Sequence, residues 1–497
     1  MAKILLINPN KWGRGITPIW IASHAAALQE AGHEVDLFDA TFFRHWTNNE
    51  LAFNTANLQY RPTSYEAQVE FCEDDVHKAL QEKVELFQPD LLFWSAISSH
   101  IHGEGEYVNV QYGYDLIREL ETNALRVAAG LQATAAPQLI LDRFPHVDFL
   151  IAGESDLALT QVASAVPNRT AIQQIPGVIW RDPQGQALAN KRQPIISDLD
   201  AIGTYDYTLF DPQVLLRPYN GRVVKGVDYE LSRGCIFTCS YCVETVIQKY
   251  YGANQSSPTS GALLQPKKYL RNKSAARIME ELTFLHVGLG VELIRCQDTN
   301  FMTINRSLLK ELAARLEKSD LDIKLYIETR ADHLRDKDFL LLKRLKVDGI
   351  GTGIELSSET FREDRLNRHA ATDRLVENFA LLREHGIRRT TYNIIGLPQE
   401  TESMILDTIR FNQLLDPDNI TVAFYSPYLG TPEAARGQQE NYFDDYEYDV
   451  DGQLRTCSKS AVISPPLLEF YKANFVTLVR DGLDRLDELK QNHFAIS

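Results

Sequence analysis

The sequence predicts an α/β chain in two parts: a doubly wound parallel sheet, then a partial or full (β/α) barrel, with a C-terminal helical segment. Three observations predict it. Short apolar runs alternate with amphipathic stretches over residues 1–168. The alternation resumes over residues 227–432, after a weakly periodic linker at 169–226. Residues 433–497 end in one long helical pattern.

In the first part, Lys3–Asn8 (KILLIN) reads as a strand and Pro18–Ala31 as an amphipathic helix ending at Gly32. Glu34–Phe38, Pro89–Ala96, Leu125–Ala129 and Val147–Ala152 supply four more strands. Strands alternating with helices form parallel sheets, and ligands of such sheets sit beyond the C-terminal strand ends. Those ends carry Asn8–Thr17, Ser95–Ser99, Gly130–Thr134 and Gly153–Ser155, which are small and polar. The linker holds IPGVIWRD, DPQGQ and RPYNGRVV, which predict a small hairpin. Barrel strands are expected at Asp228–Ser232, Glu292–Cys296, Lys324–Thr329, Gly349–Glu355, Thr390–Ile395 and Ile420–Ser426. Helices such as Ala275–His286, Arg306–Leu316 and Thr372–His385 intervene, and the active site of such a barrel lies at its C-terminal strand ends. The tail carries an acidic aromatic stretch, Asn441–Gly452, and a closing helix, Pro465–Gln491.

The formal net charge of −16, without a long basic cluster, argues against nucleic acid as a partner and favours neutral, cationic or small substrates. No apolar run of membrane-spanning length occurs, and MAKILLINPN lacks the regions of a signal peptide, so a cytoplasmic location is expected. Six cysteines in 497 residues are too sparse for a disulfide scaffold. Cys72, in a helical stretch, and Cys296, at a strand end, are expected to face the core, and Cys457 lies in a polar segment.

The other three cysteines crowd into Leu231–Glu244, LSRGCIFTCSYCVE, directly after a strand. Cys235, Cys239 and Cys242 are spaced C-x3-C-x2-C. Three thiolates on one loop can hold three irons of a [4Fe–4S] cluster, leaving one iron open. A zinc knuckle would want a fourth ligand close by. Tyr241 can shield the cluster.

This segment resembles the radical S-adenosylmethionine (SAM) superfamily. The resemblance implies that the open iron chelates SAM, and that reductive cleavage yields a 5′-deoxyadenosyl radical. Strand ends over roughly residues 225–435 match the family's pattern: Gln297–Phe301, Glu328–Asp332, Gly353–Glu355 and Asn393–Pro398. They imply Glu355 near the cofactor ribose, Gly396 near the adenine, and Asp298, Glu328 and Arg330 lining the catalytic cavity.

The first part resembles the Rossmann-like cobalamin-binding domain of class B radical SAM methylases, on NPNKWGRGITP, Ala129–Thr134, and Val147–Phe149 leading to Gly153-Glu154. Ser95, Gly130, Thr134, Gly153 and Glu154 would then contact cobalamin. Ala129 and Gln132 depart from the family, which commonly has a second Gly and a His there. No Asp-x-His-x-x-Gly motif supplies an axial histidine; His100 and His102 follow the third strand. Trp12, Trp20 and Trp94 are candidates to line a corrin face.

The implied function is cobalamin-dependent methylation of an unactivated carbon. The implied partners are a small-molecule or natural-product substrate and an electron donor such as flavodoxin or ferredoxin. The alternatives are a non-methylating class B reaction (oxidative cyclisation or rearrangement) and, from another class, a non-catalytic corrinoid or iron–sulfur carrier or sensor.

Overall fold

A computed structural model describes residues 1–48, 50–95, 111–442 and 462–496. The first sheet begins with five parallel strands: β1 (Lys3–Asn8), β2 (Glu34–Asp39), β3 (Leu91–Trp94), β4 (Leu125–Ala129) and β5 (Phe149–Ile151). β1, β3, β4 and β5 are nearly continuous in apolar residues because helices cover both faces of the sheet, whereas the edge strand β2 (EVDLFD) is not. The predicted linker hairpin forms and extends this sheet: β6 (Val178–Arg181) pairs antiparallel with β5, and β7 (Ala187–Ala189) with β6. The strand order is β2-β1-β3-β4-β5-β6-β7.

A second hairpin opens the barrel. β8 (Leu216–Tyr219) turns through Asn220-Gly221, both at positive φ, into β9 (Arg222–Tyr229). The expected strand Asp228–Ser232 therefore starts earlier and stops at Tyr229, because β8 holds its N-terminal half in antiparallel pairing. Two short strands follow, β10 (Ser232–Arg233) and β11 (Arg271–Asn272), paired only with each other. Then come β12 (Leu293–Cys296), β13 (Lys324–Glu328), β14 (Val347–Glu355), β15 (Arg388–Ile395) and β16 (Asn419–Phe424). The order β16-β15-β14-β13-β12-β9-β8 leaves the barrel partial, with six parallel strands and one antiparallel edge. Its lumen has room for tyrosines because β14 presents glycines to it: a Cβ on Gly349 would lie 2.9 Å from the Tyr326 ring, and one on Gly351 2.3 Å from the Tyr392 hydroxyl.

The closing helix runs Pro465–Asp481, breaks at Gly482 (φ +107°) and resumes as Leu486–Ile496. One apolar core joins both parts: Ile4, Trp20 and Phe93 from the first sheet, Tyr205 and Val214 from the linker, Ile294 and Leu312 from the barrel. No helix among the described residues is long and apolar enough to cross a membrane.

Candidate active site at the cysteine loop

The cysteine loop is held from several sides. Gly234 carries φ +97°, and a Cβ there would lie 2.9 Å from the Tyr269 carbonyl oxygen, so the sharp exit from β10 requires glycine. The Cys235 amide donates to Glu244 Oε1 (3.2 Å), and the Phe237 amide donates to the Cys235 sulfur (3.4 Å). The Gln248 side chain donates to the carbonyls of Cys235 and Phe237 at 3.1 and 3.0 Å. Ser240 is pinned at both backbone groups, its amide donating to Leu366 O (2.9 Å) and its carbonyl accepting from the Glu433 amide (2.9 Å). Asp298 lies behind the loop, accepting from the Leu231 amide (3.2 Å) and the Ser232 hydroxyl (2.5 Å).

Burial, and next the Glu244 carboxylate, pushes the Cys235 thiol up; burial, and next Cys239, does the same for Cys242. Burial also raises Glu244 to about 7. Thiols in such a site ionise readily only against a bound cation. No group of three or more His, Cys, Asp or Glu among the described residues is arranged to hold a single ion. Three thiols on one loop match the donor set of a multi-iron group.

The three thiols open onto a cavity of about 470 Å³. Its barrel wall includes Tyr241, Glu328, Arg330 and Glu355; its opposite wall comes from the loop after β1, with Trp12, Arg14, Ile16, Pro18 and Ile19. Glu355 sits at positive φ (+59°) where β14 ends, accepts from the Tyr241 hydroxyl (2.8 Å), and pairs with Arg368 (3.7 Å). Arg330 stacks over Phe237 at 4.2 Å and pairs with Asp332 at 2.7 Å. Tyr326, Tyr392 and Glu328 form a hydrogen-bonded chain along the lumen, at 3.0 and 3.1 Å. Six lining residues each leave a buried polar atom without a hydrogen-bond partner: Gln59 Nε2, Gln297 Oε1, Thr299 Oγ1, Asn300 Nδ2, Arg330 Nη1 and Arg368 Nε. Buried polar groups are normally satisfied, so this concentration beside the thiols fits a polar ligand. Arg14, Arg61, Arg295, Arg330, Arg368 and Arg388 line the cavity against Asp228, Glu328 and Glu355, so the chain's overall negative charge does not extend into it.

Of the residues singled out from sequence, the three cysteines, Tyr241, Glu328, Arg330 and Glu355 share this cavity. Asp298 is buried behind it. Gly396 follows β15, its amide donating to Glu400 Oε2 (2.6 Å), and burial raises Glu400 to about 8. Ser95 is buried at the end of β3. Gly130 (φ +105°) leads into the helix Leu131–Ala135. That helix packs against the helix after the cysteines through Leu131, Val243, Val246 and Ile247, so the two strand-end edges face each other. Thr134 Oγ1 donates to Gly130 O and accepts from the Gly153 amide, both at 2.9 Å. Glu154 accepts from Arg271.

Trp12 lines the cavity, whereas Trp20 and Trp94 are core. Cys296 is buried as expected, but Cys72 bridges to Phe43 in extended backbone and is half-buried, because no helix forms there. His100, His102, Cys457 and residues 443–452 lie outside the described residues. Sequence reading missed Glu244 and Gln248, whose i, i+4 spacing after the last cysteine was a usable signal. It also missed Arg368, which sits in a loop with no local pattern.

Residues 229–411 match the family model described as the radical SAM superfamily. Residues 229–411 thus form a radical SAM domain. The match begins at the end of β9, takes in the cysteine loop and ends before β16. An uncharacterised methyltransferase of Pyrococcus horikoshii is 24% identical over 365 residues, 72% of each chain. The anaerobic magnesium-protoporphyrin IX monomethyl ester cyclase of Rubrivivax gelatinosus is 23% identical, across 99% of this chain and 76% of its own. Among solved structures, the radical SAM methyltransferase TsrM of Kitasatospora setae, with cobalamin and a [4Fe–4S] cluster bound, superposes with a TM-score of 0.66 at 17% identity. That superposition covers 96% of this chain and 84% of TsrM, so this radical SAM enzyme shares the two-part fold from end to end.

Proposed function

We propose that this radical SAM enzyme is cobalamin-dependent and methylates an unactivated carbon of a small-molecule or natural-product substrate. The observation that carries the reading is the single cavity walled by the cysteine loop on one side and the loop after β1 on the other. When bound, a cluster with one open iron would generate the hydrogen-abstracting radical from SAM, and a corrinoid on the first domain would carry the methyl group.

The chain's own residues hold and orient these groups. Cys235, Cys239 and Cys242 supply the thiolates. The partnerless polar atoms of Thr299, Asn300 and Arg330 offer bonds to a polar cofactor or substrate, and Glu355, fixed by Tyr241 and Arg368, presents an oriented carboxylate. Ser95, Gly130 and Thr134 mark the first-domain edge proposed for the corrinoid. The apolar wall of Ile16, Pro18 and Ile19 excludes water from the space where a radical would form. The arginine-rich lining also admits an anionic substrate, which the overall charge alone argued against.

A second reading is favoured by one observation: similarity to the Rubrivivax cyclase spans 99% of this chain. It is oxidative ring closure without methyl transfer. The test is anaerobic reconstitution with iron, sulfide, cobalamin, SAM and a reductant, followed by product analysis with candidate metabolites. S-adenosylhomocysteine and 5′-deoxyadenosine both forming in step with product supports methylation; deoxyadenosine alone supports the cyclase reading. Neither nucleoside under several reductants would sink both. Arg330→Ala is expected to lower product formation while leaving iron content intact.

A further inference from the structure

The segment after β5 does not line the cavity; it grips the two-stranded ribbon that feeds the cysteine loop. Arg233 on β10 donates to both oxygens of Asp156 at 2.7 and 3.1 Å. Arg271 on β11 donates to both oxygens of Glu154 at 2.7 and 2.8 Å, and to Ile196 O at 3.0 Å. All four side chains are buried, from 2% exposed at Asp156 and Arg233 to 7% at Arg271.

The two-stranded ribbon they hold has only two residue pairs, Ser232 with Asn272 and Arg233 with Arg271. It has little pairing of its own to fix its place. One strand runs through Gly234 directly into Cys235. The other begins just after Tyr269, whose hydroxyl donates to Glu244 (2.6 Å), the same carboxylate that accepts the Cys235 amide. Both strands therefore bear on the position of the first cysteine. On the other side, the Gly153 amide donates to Thr134, and the Glu154 amide donates its proton to Tyr251 Oη (2.9 Å), just past the helix after the last cysteine. Hydrogen bonds and ion pairs thus run unbroken from the Gly130–Thr134 edge to the cysteine loop.

We propose that Glu154 and Asp156 are positioning residues: carboxylates of the first domain that set the cysteine loop through the β10–β11 ribbon. The proposal rests on the reading that Cys235, Cys239 and Cys242 hold an iron–sulfur cluster. Removing Glu154 leaves the buried Arg271 guanidinium without its counter-charge, and removing Asp156 leaves Arg233 only Glu230 (2.8 Å); the two-stranded ribbon is the lightest element free to move in response. A role confined to fold stability would cost thermal stability without altering the cluster.

The experiment uses the full chain, reconstituted anaerobically with iron and sulfide, as wild type, Glu154→Gln, Asp156→Asn and Asp418→Asn. The last breaks the Arg389–Asp418 pair (2.9 Å) at the far end of the barrel. Iron content, cluster reduction potential and the EPR spectrum of the reduced cluster with and without SAM are measured beside the thermal midpoint. Glu154→Gln and Asp156→Asn should shift the potential and the SAM-dependent EPR signal; Asp418→Asn should lose thermal stability with an unaltered cluster. Should either variant fail to fold, Glu154→Asp, which keeps the charge but shortens the reach, should shift the same signals in the same sense by less. Wild-type potential and EPR signals in the folded variants would overturn the proposal. Wild-type protein that holds no cluster would instead overturn the reading beneath it.

Discussion

The two strand-end edges that face each other are built from similar residues and treated differently by the fold. At the barrel edge, Gln297, Thr299, Asn300, Arg330 and Arg368 keep buried polar atoms without partners. At the first edge the ends of β4 and β5 differ: Thr134 is bonded on both sides and Glu154 is bidentate to Arg271, although Trp94 Nε1 at the end of β3 has no hydrogen-bond partner. A polar side chain at a strand end thus offers a ligand hydrogen bonds only when its atoms are left over. Where they are consumed internally, the same residue types hold the molecule together.

The largest effect expected is at the cysteines. Replacing Cys235, Cys239 and Cys242 together with Ala should abolish all cluster iron and visible absorbance; a triple variant that keeps its iron would remove the barrel edge from the comparison. Next comes the interior of the first edge. Arg271→Met leaves Glu154 buried without its partner, and denaturant unfolding should show a loss of about 3–5 kcal/mol. A loss below about 1 kcal/mol, the range of exposed pairs, would mean that the clamp carries little.

Asp298 gives a test by pH. Burial pushes its carboxyl up to about 7 from an ordinary 3.8. The folded chain keeps this proton where the unfolded chain has lost it, so the contribution to stability is full below 3.8 and is lost as pH rises towards 7. The stability of Asp298→Asn relative to wild type should therefore rise between pH 5 and pH 8, by on the order of 2 kcal/mol. A pH-independent difference would contradict the assignment.

The smallest effect is the sharpest for the comparison. Thr134→Val should cost about 1–2 kcal/mol, because two bonded groups lose a partner. Thr299→Val, which removes a hydroxyl that has no partner, should be neutral or stabilising by up to about 1 kcal/mol, while weakening SAM binding in the reconstituted protein. Equal losses at both threonines would erase the distinction between the edges.

Much of this was legible in the sequence. The strands of both sheets were readable from apolar runs, since β1, β4 and β13 are buried on both faces and leave near-continuous signals. The cysteine loop was readable from spacing alone. Two things were not. The start of β9 depends on pairing with β8, a non-local contact that no periodicity marks. The division of the polar strand-end residues into bonded and unbonded depends on partners far off in sequence: Glu154 meets Arg271 and Asp156 meets Arg233 only once the barrel docks on the first sheet. Cys72 was misread because a helical pattern there lost to extended pairing with Phe43.

The central claim is that the cavity walled by the cysteine loop and the loop after β1 serves both proposed cofactors. The most direct test is EPR of anaerobically reconstituted protein carrying a reduced cluster and cob(II)alamin together. The account predicts a magnetic interaction between the two paramagnets, absent when either cofactor is omitted. Two unperturbed, additive signals from protein loaded with both would contradict it.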